Sequence, residues 1–125
     1  MSSESAGVLI LSGVEDPQQS RAALAEAHRL AAALQGMGAT LVVVFGSRAR
    51  GEARAGSDLD LLAVMPSDRR FLDRIAEVHA ALRPALPTDL LVYTPAEFDR
   101  LWRERSFVRD AVERGVVLHG TRPQG

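Results

Sequence analysis

Two aspartates separated by one leucine, Asp58-Leu59-Asp60, open an apolar run that continues through Leu61, Leu62, Ala63 and Val64. On a strand that spacing puts both carboxylates on one face, roughly 7 Å apart at Cα. Aspartate is depleted in strands and costly to bury without a partner, so a pair at the head of an apolar strand asks for positive charge. One or two hard divalent cations supply it compactly. Asp89 stands in the same relation to a second run, Leu90-Leu91-Val92-Tyr93, and is the natural third carboxylate. Upstream, the run Leu41 to Phe45 ends on Gly46-Ser47. Glycine there permits a sharp turn and a close approach of backbone to a ligand, and a helical turn beginning near Arg48 would aim its leading amides at an anion. The residues together describe a phosphate-binding turn beside a carboxylate metal site. The competing reading is structural: Gly56-Ser57-Asp58 as a plain turn, Asp60 as a solvent-facing strand residue and Asp89 as a turn aspartate after Pro87-Thr88. Arg48, Arg50 and Arg54 share the intervening loop, where a guanidinium fork suits phosphate oxygens or simply stays solvated.

The elements that must position these residues follow from periodicity. Asp16-Pro17-Gln18-Gln19 reads as a helix start, with an N-cap aspartate, proline at the first helical position and glutamine three residues after the cap. Leu24, Ala27, Leu30, Ala31 and Leu34 form its apolar stripe, and Gly36 and Gly38 end it near Met37. Strands are expected at Leu41–Phe45, from Asp60 to Met65, over Thr88–Tyr93 and at Val116–Leu118. A helix from Asp68 to about Arg83 carries Phe71, Leu72, Ile75, Val78 and Leu82, and Pro84 and Pro87 follow it. Thr94-Pro95-Ala96-Glu97 is a capping box opening a helix that buries Phe98, Leu101 and Trp102. Ser106 caps a further helix through Phe107, Val108, Ala111 and Val112, stopped by Gly115. His28, His79 and His119 read as structural, and Val8 to Leu11 as a short extra strand or a tether. The order of elements gives an α/β fold with a small mixed β-sheet packed with helices on one face; strand order does not follow from the sequence.

At 125 residues with 46% apolar content the chain fits a single domain, 1–125, with its core at about 16–119. The absence of cysteine excludes disulfides, thiolate metal sites and cysteine nucleophiles, leaving hard oxygen ligands. A net charge of −1, with arginine supplying the positive side, offers no global field for extended nucleic acid. Glu4 stands where a signal peptide carries positive charge, and Val8 to Leu11 is too short to span a bilayer, so no membrane association is expected and a cytoplasmic location is.

The complete pattern, Gly46-Ser47-Arg48-Ala49-Arg50-Gly51 and, after five residues, Ser57-Asp58-Leu59-Asp60-Leu61, resembles the signature of the nucleotidyltransferase superfamily to which DNA polymerase beta-like enzymes belong. It is most similar to the small stand-alone minimal nucleotidyltransferases. The resemblance covers Leu41 to Leu118 and implies the nucleotidyltransferase fold. It implies that Asp58, Asp60 and Asp89 are catalytic and hold two Mg²⁺ ions, that Gly46 and Ser47 hold the β- and γ-phosphates of ATP, and that Arg48 and Ser57 line the nucleotide site. Such ions activate an attacking hydroxyl and neutralise the triphosphate, so transfer to the acceptor is direct. Small members resemble antitoxins that attach AMP to a tyrosine of a HEPN-domain ribonuclease toxin, and this is the partner the resemblance implies. The alternatives are transfer to an aminoglycoside-type small molecule, for which the chain is short, and a non-catalytic antitoxin that masks its partner by binding. For a chain little larger than the catalytic core, the acceptor is expected to be macromolecular, with Phe98, Trp102 and Phe107 as candidate contacts.

Overall fold

Strands β1 (Leu41–Phe45), β2 (Leu59–Val64), β3 (Thr88–Tyr93) and β4 (Val116–His119) form one sheet in the order β3-β2-β1-β4. β1 runs antiparallel to both β2 and β4, whereas β2 and β3 are parallel. A parallel pair needs a crossover, and a helix supplies it. In chain order the helices are α1 (Pro17–Gly36), α2 (Phe71–Leu82), α3 (Pro95–Arg103) and α4 (Phe107–Arg114), with α2 as that crossover. The computed structural model describes residues 16–54 and 56–124, so the segment Val8 to Leu11 lies outside the described residues.

Alternation along the strands decides the layering. Val42, Val44, Leu59, Leu61 and Ala63 face one way and pack against Leu30 and Leu34 of α1 and Val78 and Leu82 of α2. Leu41, Val43, Leu62 and Val64 face the other way, onto Phe98 and Trp102 of α3 and Val108 and Val112 of α4. Helices therefore cover both faces of the mixed sheet, a correction to the expected single face. The physical reason is in β1 and β2, which bury apolar side chains on both sides and need cover on both. Fully burying a leucine or valine contributes roughly 1.5–3 kcal/mol, so neither layer is dispensable.

Helix ends follow local chemistry with two exceptions. Both reciprocal bonds of the Thr94–Glu97 capping box form, at 3.2 and 2.9 Å, and Ser106 Oγ accepts from the Val108 amide at 3.2 Å. Asp16 sits at the N-cap of α1, yet its side chain makes no cap bond. α2 starts at Phe71 rather than Asp68, because Ser67 Oγ accepts from the Arg69 amide at 3.1 Å and holds the preceding residues in a turn. Its buried face also differs from expectation: Leu72 is 75% exposed and Arg74 only 4%. Arg74, Val78 and Leu82 recur every four residues on one side, and Leu72 lies about 200° around the helix from Arg74.

Side chains from the helices fix β3, which delivers Asp89. The Arg74 guanidinium donates to the Val92 carbonyl at 2.9 Å and to Glu97 at 2.7 Å, while His79 Nε2 lies 3.3 Å from the Thr88 carbonyl. Pro87 and Tyr93 turn their carbonyls to the amides of Leu59 and Met65, so Thr88 and Val92 present theirs on the outer edge that α2 covers. Glu26 of α1 accepts from the Ala85 amide at 2.5 Å and pairs with Arg29 at 2.7 Å. Arg29 in turn donates to the Arg83 carbonyl at 3.1 Å, tying α1 to the turn that enters β3.

Candidate active site

Strand register brings the chemistry together at one end of the sheet. The antiparallel ladder sets Phe45 opposite Asp60, and the parallel ladder sets Asp60 beside Asp89. Phe45, Asp60 and Asp89 therefore stand in a row across three strands, with Gly46 just past the end of β1 and against Asp60. Asp60 alternates with Leu59 and Leu61, so it shares the α3/α4 face with Leu62 and Val64. Gly46 is needed there twice over: its φ is +76°, and a Cβ would run into Asp60 Oδ2. After it the Arg50 amide donates to the Gly46 carbonyl at 3.1 Å and the Glu52 amide to Ser47 at 2.8 Å. This is a single helical turn, and the first amides of such a turn have no partner within it.

Asp58 and Asp89 are exposed and Asp60 is half-buried. Burial pushes the Asp60 carboxyl up to about 6; the charge of Asp89, a hydrogen bond with it and the charge of Asp58 act in the same direction, and Arg50 opposes them. Asp60 and Asp89 thus share a proton-dependent contact, with Asp58 felt only through its charge. Among the described residues, no three acidic or histidine side chains converge as they stand on one ion-sized point.

The other expected site residues have different surroundings. Arg48 is 3% exposed, and its guanidinium donates to the Ser57 carbonyl at 2.9 Å. Ser57 Oγ accepts from the Arg54 amide at 2.7 Å. Both side chains brace the loop between the turn and β2. Arg50 is the residue that sequence reasoning underrated: exposed, paired with Glu52 at 2.9 Å and felt by Asp60. Nothing in the sequence separates it from Arg48; only the turn does. Phe98 and Trp102 are core residues with ring centroids 5.9 Å apart, while Phe107 is 59% exposed. Tyr93 stacks on Phe71 at 5.2 Å, four residues along β3 from Asp89 and about 13 Å away by strand rise. His79 and His119 each meet a backbone carbonyl, and His28 is exposed.

The chain matches the nucleotidyltransferase domain family over residues 29–118, a span that takes in the Gly46 turn and all three aspartates. It belongs to that family. A crystal structure from Sulfolobus solfataricus, of a protein provisionally assigned as a nucleotidyltransferase, shares the fold with a TM-score of 0.55. The two chains are 21% identical, and the similarity covers 94% of this chain and 86% of that one. No curated protein matches the chain. Among the described residues no helix is long and apolar enough to cross a membrane.

The donor set of this nucleotidyltransferase domain suits a hard divalent cation. Among the described residues, hard carboxylate oxygens gather at this sheet end, and burial together with the charges of Asp89 and Asp58 resists ionisation of Asp60. A cation shared by these carboxylates would relieve that repulsion, with Asp58, Asp60 and Asp89 as its holders.

Proposed function

We propose that this nucleotidyltransferase is a Mg²⁺-dependent minimal enzyme that transfers AMP from ATP to a hydroxyl on a protein acceptor. The acceptor in this reading is a tyrosine of a HEPN-domain ribonuclease toxin, which the modification silences, giving the chain an antitoxin role. What supports it is the gathering of Gly46 against Asp60, and of Asp60 beside Asp89, at one end of the sheet, inside the span that matches the family. Gly46 and Ser47 hold the triphosphate, Asp58, Asp60 and Asp89 would hold the divalent ions, and Asp89 also faces the incoming hydroxyl. Bound Mg²⁺ supplies charge neutralisation and a lower hydroxyl pKa. The acceptor oxygen forms a bond to the α-phosphorus, the bond to the bridging oxygen breaks, pyrophosphate leaves, and the hydroxyl proton passes to a carboxylate oxygen of Asp89. Asp89 is exposed on an edge strand, so a hydroxyl carried on another protein's surface can reach it.

The test is incubation with ATP, Mg²⁺ and the product of the adjacent gene, followed by intact-mass spectrometry. Additions of AMP that vanish in Asp60→Asn support the reading. A modified aminoglycoside-type molecule with an unmodified protein moves the assignment to small-molecule transfer, and a tightly bound but unmodified protein leaves only masking.

A further inference from the structure

A cleft of about 200 Å³ opens beside the Gly46 turn, walled by Phe45, Gly46, Arg50, Phe107, Asp110 and Arg114. Phe107 is the first residue of α4 and is 59% exposed, although burial of that helix is already supplied by Val108, Ala111 and Val112. Its ring meets Phe45 edge-on, with centroids 5.9 Å apart and planes at 76°. With 59% of Phe107 still exposed, ring surface is left open on the cleft it lines. Phe45 directly precedes the turn, and Arg50, another wall, is felt by Asp60. The cleft and the carboxylates therefore share the Gly46 wall. At the rim Asp110 pairs with Arg114 at 2.8 Å, setting a carboxylate acceptor beside guanidinium donors. An aromatic platform, a polar rim with both donors and acceptors, and a phosphate turn at one end complement a flat heterocycle tethered to phosphates.

We propose that this cleft is the nucleobase subsite of the donor nucleotide, with Phe107 stacking on the base. The inference rests on the nucleotidyl-transfer reading and adds to it the place of the base. An acceptor phenol fits the cleft less well, because in-line attack opposite the leaving pyrophosphate brings the acceptor to Asp89, two strands away across β2.

The experiment compares ATP with inorganic tripolyphosphate, both with Mg²⁺, by calorimetry on the full chain. One stacked base makes ATP bind about 5- to 150-fold more tightly than tripolyphosphate. Phe107→Leu keeps an apolar side chain against Phe45 and removes the ring face, so most of that ratio is lost while tripolyphosphate affinity stays. Phe107→Trp keeps the ratio, and its exposed indole is quenched by ATP and not by tripolyphosphate. An unchanged ratio in Phe107→Leu overturns the subsite and leaves nucleotidyl transfer standing. A variant with normal ATP binding but a raised KM for the protein acceptor assigns the cleft to the acceptor and overturns the subsite as well. Failure of both ligands to bind wild type removes the subsite together with the reading beneath it.

Discussion

Asp60 carries an ionisation penalty, from burial first and from the charges of Asp89 and Asp58 after it, that a single isosteric change should release. Its folded pKa of about 6 lies above the ordinary 3.8, so the native chain holds a proton there that the unfolded chain has given up. The associated stability is complete below pH 3.8 and is lost as pH rises through 6. Two pKa units correspond to about 3 kcal/mol. Because the carboxylate is only half-buried, solvent screening reduces the expected figure to about 1–2 kcal/mol. Asp60→Asn cannot ionise, and its amide can still donate to Asp89. The variant should match wild type at pH 4 and exceed it by about 1–2 kcal/mol at pH 7.5, a gain of roughly 4–10 °C in Tm for a domain of this size. Urea unfolding of both proteins in EDTA at several pH values between 4 and 7.5 measures the difference. Glu26 and Glu97, whose carboxyls are held low chiefly by Arg29 and Arg74, lose their stabilisation as pH falls, equally in both proteins, and so cancel. Mg²⁺ at pH 7.5 should then stabilise wild type and leave Asp60→Asn unmoved. A difference that is flat with pH, or a variant weaker than wild type at pH 7.5, would refute the reasoning.

Gly46→Ala, forced to φ +76° with its methyl on Asp60, should abolish transfer and lower stability by about 1–2 kcal/mol, whereas Ser47→Ala should keep its melting curve and weaken ATP by about 1 kcal/mol. Thermal melts and calorimetry of the pair check this, and two silent variants would remove the phosphate turn. Arg74→Ala should cost about 3 kcal/mol in urea unfolding, since it strips a buried guanidinium from Val92, Arg69 and Glu97; a cost near zero would show the network to be ornamental. Glu26→Ala releases Ala85 and Arg29, so amide exchange should accelerate from Arg83 to Asp89 ahead of the sheet centre, and uniform exchange would contradict that local role.

The aspartates, the glycine turn and the helices with caps were legible because each rests on local rules: strand alternation, φ > 0 at glycine, and caps such as Thr94 and Ser106. Leu72 was misplaced because an apolar residue next to Phe71 extends a stripe on paper, and Arg74 was passed over because burial of arginine depends on carbonyls at Val92 and Arg69 that no window in the sequence reveals. Arg48 and Arg50 differ in burial for a similar reason. Two identical residue types in one loop differ only in which way a single helical turn carries them. The second helical layer was likewise hidden, since the apolar residues of α3 and α4 could have closed over either face.

Topology also explains why the site can carry repulsion without endangering the fold. With β1 antiparallel to β2 and β2 parallel to β3, the end of β1 and the starts of β2 and β3 meet at one edge; the single β1–β2 connection carries Gly46 at one end and Asp58 at the other, and a second loop leads into β3 and Asp89. Val42, Val43, Val44, Leu61 and Leu62, all fully buried, lie inward from that edge, so most of the sheet's packing stands clear of the like charges gathered there. Neutralising any one aspartate should therefore leave the sheet intact, and charge placed at Leu61 or Leu62 should not. The Glu26–Ala85 and Arg74–Val92 bonds pin β3 from outside the site, which lets Asp89 be held beside Asp60 although their charges repel. Function at this edge depends on register alone: a shift of β3 by one residue would turn Asp89 to the α1/α2 face and leave Asp60 without its neighbour.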